Sequence, residues 1–331
     1  MSGTERTNRD NLEEPAGADA FVTSGPDGGP PIAGSLAAIE AESVESGAAP
    51  RRAGKRRFRS FLKEQPFGAV ALILILLFLA VAIFAPLISP YSPLEQHRAD
   101  IMVPPGGQFP MGTDELGRDI FSRVLAGART SLLIAVATLI MGGLIGLVFG
   151  VISGYFGGTW IDNVIQRAMD TLMAIPSIVL LLFVAALLGP SVRNTIIALT
   201  ILVIPSFNRV ARGEVLRIRE ETYIEAARAV GCSTPRILLR YALPNLMAPL
   251  YVVSSLLFAN VIIAESALSF LGIGTPPPTP SWGRMLSEGS RYLEIAPWGA
   301  VFPGLALSLS VLAFNLLGDA LRDYFDPKQR R

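Results

Sequence analysis

The stretch Arg209–Asn245, RVARGEVLRIREETYIEAARAVGCSTPRILLRYALPN, decides the fold, because it sets seven Arg and four Glu between two long apolar runs. Leu216, Tyr223, Ala227 and Val230 recur at helical spacing and predict one packed face. Gly231 supplies the left-handed turn that ends a helix without a Cβ penalty. Thr234 is placed to cap the next helix, and Pro235 suits the first turn because no amide there needs a partner. The segment therefore reads as helix, sharp elbow and short second helix, with Pro244 where the chain re-enters a membrane. A rigid polar elbow between membrane spans is a shape for docking.

Outward from the elbow, the chain is apolar. Of its 331 residues 51% are hydrophobic and only 17% charged, which points to a protein that crosses a membrane several times. Phe67–Ala85 runs without a charge and is long enough to span ~30 Å of hydrocarbon at ~1.5 Å per residue. Five more spans are predicted: Ser131–Ser153, Thr171–Gly189, a short Asn194–Asn208 containing Pro205, Leu246–Gly272 and Ile295–Gly318. The short fourth must borrow residues beyond its apolar part, including Arg209, whose head group can snorkel. Arg167 and Asp170 are read as anchors of the third span.

Charge sets the orientation. Residues 1–50 hold nine acidic residues against two arginines and no apolar period, the composition of a disordered tail. Arg51–Lys63 then packs seven basic residues into thirteen, beside the first span. Such a run reads as a topology anchor that attracts anionic lipid, not as a nucleic-acid arm. The 66 residues before the first span, and the lack of a small-residue cleavage site, argue against a signal peptide. With the first span starting in the cytoplasm, six spans place both termini there, with Lys328, Arg330 and Arg331 and the elbow on the same side. Three segments result: a tail over 1–57, the first span and start of an external loop over 58–110, and a permease domain over 111–331 carrying the loop 209–245.

Inside the spans, Gly142, Gly146, Gly150 and Gly154 recur every four residues and invite close helix approach. The stripe serves either packing within one subunit or a subunit interface. Pro176, Pro205, Pro249 and Pro303 mark candidate kinks. Glu265 is the clearest ionisable residue in an apolar run, with Asn260 and Asn315 as candidate neighbours. It either lines a translocation path or satisfies a structural hydrogen bond, the second reading being favoured because no cationic partner is evident.

A family resemblance follows from these residues. Glu225-Ala226-Ala227, three residues, Gly231 and then Leu243-Pro244 resemble the coupling loop of bacterial ABC importer permeases, with Tyr241 departing from the aliphatic residue usual there. Gly112–Leu132, Pro276–Gly289, Leu268–Gly274 and Gly318–Pro327 are similar to segments of dipeptide, oligopeptide and nickel permeases. The chain is thus similar to the second, C-type permease subunit of that family, from about Arg59 onward.

The resemblance implies an all-α membrane protein with six transmembrane helices and the type I ABC importer (MetI-like) fold, in the cytoplasmic membrane of a bacterium. It implies a homologous second permease subunit, two ABC ATPase subunits and an extracytoplasmic substrate-binding protein, besides membrane lipid. Glu225 would make a charged contact with the ATPase, Ala226 and Ala227 would permit close approach, and Gly231, Leu243 and Pro244 would shape the elbow. Pro280, Ser281, Trp282 and Gly283 are candidate contacts for the binding protein. Dipeptides or oligopeptides are the expected substrate, with nickel or a nickel chelate as the alternative. A gradient-driven secondary transporter is the rival from another class.

Chemistry on the chain itself is not expected. The only Gly-Lys pair, Gly54-Lys55, has Arg56 after it and Ala49 where a phosphate loop needs its first glycine. ATP and Mg would be used by partner subunits. A single histidine, His97, and a single cysteine, Cys232, offer no metal set and no disulfide.

Overall fold

A computed structural model describes residues 65–325. The tail over 1–57, the basic run Arg51–Lys63 and Lys328, Arg330 and Arg331 lie outside them. The first helix, α1 (Pro66–Ile88), is apolar all round, and Phe67, Ile73, Ile83 and Leu87 remain exposed as a lipid-facing surface. A loop over 89–119 folds back on itself: Val103 N donates to Thr113 Oγ1 at 2.8 Å and Thr113 N to the Val103 carbonyl at 3.0 Å. Asp119 then caps α2 (Ile120–Tyr155), accepting from Ser122 N at 2.8 Å.

After α2 come α3 (Trp160–Ala174) and α4 (Ser177–Leu188), bent by 93° at the break between them. The charge-free run Thr171–Gly189 is therefore not one straight span. Pro176 forces the preceding residue out of helical geometry, and Ile175 sits at φ −88°, ψ 131°. Alone, the 12 residues of α4 reach roughly 18 Å at ~1.5 Å each, short of a bilayer. Among the described residues, five helices are long and apolar enough to cross a membrane, and the bent pair makes a sixth if counted as one span.

The next helix, α5 (Val192–Ile218), runs well past the predicted Asn194–Asn208 and carries Arg209 within it. A short helix, α6 (Thr222–Ala229), follows after a turn over residues 219–221. From Thr234 to Phe270 the chain is one 37-residue helix, α7, interrupted only by a π turn over Leu238–Ala242. Pro244 begins no new helix; it lies inside this continuous rod. A proline lacks the amide that an α turn needs, and the wider turn just before it accommodates that loss. The Tyr241 carbonyl in that turn accepts from Asn245 Nδ2 at 2.8 Å. At the far end, α8 (Trp282–Ser290) is followed by α9 (Trp298–Phe325).

The glycine stripe settles how α2 meets α5. A Cβ at Gly146 would lie 2.6 Å from Phe207 Cβ and 2.7 Å from the Ile204 carbonyl, and one at Gly150 2.6 Å from Ala211 Cβ. At Gly154 it would meet Val215 Cβ at 2.7 Å, and Gly142 abuts Val203 in the same way. The stripe is packing within one subunit. Lipid offers no hydrophobic drive between helices, so this close backbone approach supplies dispersion contact instead. Elsewhere, Phe258 of α7 stacks on Phe314 of α9 with ring centres 3.6 Å apart.

Candidate functional site

The elbow has a small core of its own. Ile218, Ile224, Ala227, Ile237 and Ala242 are buried together, with Cys232, Leu238 and Tyr241 packed against them. The inward face of α6 is therefore Ile224 and Ala227, whereas Tyr223 and Val230, expected on that face, are exposed. Helical spacing holds on both sides of residues 219–221, but a non-helical turn there shifts the phase. Of the predicted coupling residues, Glu225 and Ala226 face solvent, and Ala227 is buried inside the elbow.

Gly231 ends α6 at φ +81°. Cys232 N donates to the Ala227 carbonyl at 3.0 Å and Gly231 N to the Arg228 carbonyl at 2.9 Å, the paired bonds of a Schellman motif. Ser233, not Thr234, holds the N-cap position of the next helix, and its side chain makes no capping bond. Thr234 Oγ1 instead pairs with Tyr155 Oη at 2.7 Å, tying the start of α7 to the end of α2.

Behind the elbow lies a polar clamp that spacing alone did not reveal. Arg212 of α5 grips Asp162 of α3 with two bonds, Nε to Oδ1 and Nη2 to Oδ2, each 2.8 Å. Asp162 also accepts from Ser153 Oγ at 2.5 Å and Gly158 N at 3.0 Å. Gln166 Nε2 donates to Ser153 Oγ at 2.7 Å and Asn208 Oδ1 at 3.1 Å. A fork of this kind fixes angle as well as distance. The signal available in the sequence was one Asp and one Arg beside apolar spans; their pairing across fifty positions was not readable.

Glu265 is fully buried and held by hydroxyls. It accepts from Ser131 at 3.1 Å, Ser269 at 2.7 Å and Thr275 at 3.4 Å, and Trp282 N donates to Ser131 Oγ at 3.4 Å. These bonds join α2, α7 and the start of α8. Neither Asn260 nor Asn315 is among its partners: Asn260 lines a cavity, and Asn315 is half-buried on α9. Pro280, Ser281, Trp282 and Gly283 are all buried, so none offers a free surface in this conformation. Nearby, Arg123 of α2 reaches Glu288 of α8 at 2.8 Å and Asp114 at 3.3 Å, with Arg118 joining both acids.

The cavity, about 560 Å³, opens between the bent pair, α5 and α7. Leu172, Met173, Ile175 and Pro176 form its lip at the break, and Ile201, Leu257, Val261 and Ala264 its apolar wall. Ser177, Ser206 and Asn260 supply its polar groups, and no charged side chain lines it. Such a surface offers a few neutral hydrogen-bonding groups and no partner for an ion pair. Among the described residues no His, Cys, Asp and Glu cluster could hold a metal.

A helical membrane bundle with a polar elbow at one end and an uncharged cavity within is the architecture of a transport permease. Residues 146–331 match the family described as binding-protein-dependent transport system inner membrane component, and residues 55–105 match the N-terminal TM domain of oligopeptide transport permease C. The chain belongs to this permease family.

Among its relatives, the dipeptide transport system permease protein DppC of Alkalihalophilus pseudofirmus is 42% identical over 81% of this chain and 88% of its own length. The di/tripeptide transport system permease protein DppC of Pseudomonas aeruginosa is 43% identical, covering 83% and 92%. The glutathione transport system permease protein GsiD of Escherichia coli is 45% identical, covering 82% and 89%. An inward-facing structure of the MetNI methionine ABC transporter shares the fold, with a TM-score of 0.51 at 19% identity over 62% of this chain and 98% of that one. The chain is an ABC transporter permease component and not itself an enzyme; the family implies, in general, an ATPase and a substrate-binding partner.

Proposed function

We propose that this chain is one of two membrane-spanning subunits of an ATP-driven importer of dipeptides and other short peptides. The observation that carries the peptide reading is its 42–45% identity, over four-fifths of the chain, to permeases named for dipeptides, di/tripeptides and glutathione. The cavity supports it, since an uncharged apolar wall with a few hydroxyl and amide groups suits solutes of varied side chain and binds none strongly. A nickel ion would find no anionic or imidazole ligand on that wall.

The elbow would sit in the cytoplasm, with both termini on the same side, and seat in an ATPase subunit. Its exposed face of Glu225, Ala226, Arg228 and Val230 is the contact surface. A homologous second permease, two ATPases using ATP and Mg, and an extracytoplasmic binding protein complete the assembly. ATP would draw the ATPases together, carry the elbow with them and rock the bundle between inward-open and outward-open states.

The test is uptake of labelled dipeptide by proteoliposomes holding the complete complex and its binding protein. ATP-dependent accumulation is expected. Accumulation driven by an ion gradient without ATP would overturn the reading, and ATP-driven uptake of nickel but not peptide would replace the substrate.

A further inference from the structure

The helix α3 is held to the molecule by very little apolar packing. Of its 15 residues only Asp162 and Met169 are buried, while Trp160, Val164 and Met173 are exposed. Its first turn is gripped by the Arg212 fork, and its last turn supplies Leu172 and Met173 to the cavity lip. Leu172 lies ten residue steps along the helix from Asp162, roughly 15 Å of rigid rod at ~1.5 Å per residue. Arg212, for its part, lies within the last two turns of α5, which ends at Ile218 where the elbow begins. The clamp therefore joins the elbow-bearing end of one helix to the root of a lever whose tip borders the cavity.

We propose that Asp162 and Arg212 are positioning residues that make α3 move with the elbow, so that elbow displacement is delivered to the cavity lip Leu172–Ser177. This rests on the ATP-driven reading above. Displacement carried only along α5 and α7 would shift two walls of the cavity and leave the bent pair behind. With the clamp closed, the third wall follows. The Tyr155–Thr234 bond, 2.7 Å, and the Arg219 bond to the Tyr155 carbonyl, 3.3 Å, brace the end of α2 against the elbow, and Ser153 on that same turn of α2 is the clamp's third member.

The experiment places a single cysteine at Ile178, which lines the cavity and is exposed, in a Cys232→Ser background. The complete reconstituted complex is labelled with a small water-soluble maleimide, without nucleotide and with ATP plus vanadate. In the clamp-intact protein the labelling rate should change about tenfold between the two states, a shift in population between accessible and closed forms. Arg212→Lys keeps the charge and loses the two-pronged geometry; Asp162→Asn keeps the shape and loses the charge. Both should bind the ATPase subunits and hydrolyse ATP within about twofold of the parent, while the change in labelling falls to less than about twofold. A merely structural role would lower assembly, hydrolysis and labelling change together, and that outcome overturns the proposal. An undiminished labelling change in both variants overturns it as well. Failure of the clamp-intact protein to respond to nucleotide would instead fall on the ATP-driven reading, and this inference would fall with it.

Discussion

The indole Nε1 of Trp282 donates to the backbone carbonyl of Val124 at 3.1 Å, from a ring with no solvent exposure. This one bond pins the start of α8 into the groove beside α2, where Phe78 of α1 meets the ring edge-on at 5.8 Å. Replacing Trp282 by Phe removes the bond but keeps most of the volume, and should cost about 1 kcal/mol. Trp282→Ala leaves a cavity between three helices and should cost about 3–5 kcal/mol. Thermal unfolding in detergent, followed for both variants, checks the order.

The glycine stripe makes a position-specific prediction. Gly146→Ala and Gly150→Ala drive a methyl into Phe207 and Ala211 at 2.6 Å and must separate α2 from α5. The neighbouring Gly143 has its nearest atom, Phe207 Cζ, at 3.5 Å, an ordinary contact. Overpacking costs typically ~1–3 kcal/mol, so the first two should lower the melting temperature and Gly143→Ala should leave it near wild type. Equal effects at all three positions would refute the packing assigned to the stripe.

Glu265 is expected to act as a structural acceptor. Glu265→Gln retains shape and one acceptor oxygen among Ser131, Ser269 and Thr275, and should preserve both expression and uptake. Glu265→Leu strands buried hydroxyls, each worth roughly 1–3 kcal/mol when left unpaired, and should cut the yield of folded protein. A Gln variant that folds normally but transports nothing would move this residue into the translocation path.

At Gly231 the obstacle to substitution is backbone conformation and not space, since a Cβ there meets nothing within 4 Å. Gly231→Ala should cost on the order of 1 kcal/mol locally, and Gly231→Val more, because a β-branched side chain tolerates positive φ poorly. Membrane insertion should survive in both, while co-purification of ATPase with the Val variant is lost. Normal ATP-driven uptake by Gly231→Val would remove the elbow from the coupling path.

Much of this was legible in the sequence for definite reasons. Long apolar runs located α1, α2, α7 and α9, because in lipid a helix satisfies every backbone polar group within the segment. The Glu-Ala-Ala and Gly231 spacing located the elbow and its left-handed turn. What failed was local phase and length. Pro176 cut a run that composition made look continuous, and the turn at 219–221 placed Ile224 where Tyr223 was expected. Polar helix ends such as Arg212–Ile218 lengthened α5 beyond its apolar part. Contacts between distant positions, Asp162 with Arg212 and Glu265 with Ser131, leave no periodic trace at all.

The π turn at Leu238–Ala242 carries one residue more than an α turn would need over the same rise. Deleting a single residue there would restore an ordinary α turn over the same rise and leave Leu243–Phe270 in nearly its present angular setting, though Pro244 would then meet the tighter turn that its ring opposes. A residue removed from the regular helix beyond it would instead turn everything that follows by about 100°, carrying Asn260 and Glu265 off the faces they occupy. The wide turn is thus the one place along this rod where chain length can change by a single residue without turning its cavity end.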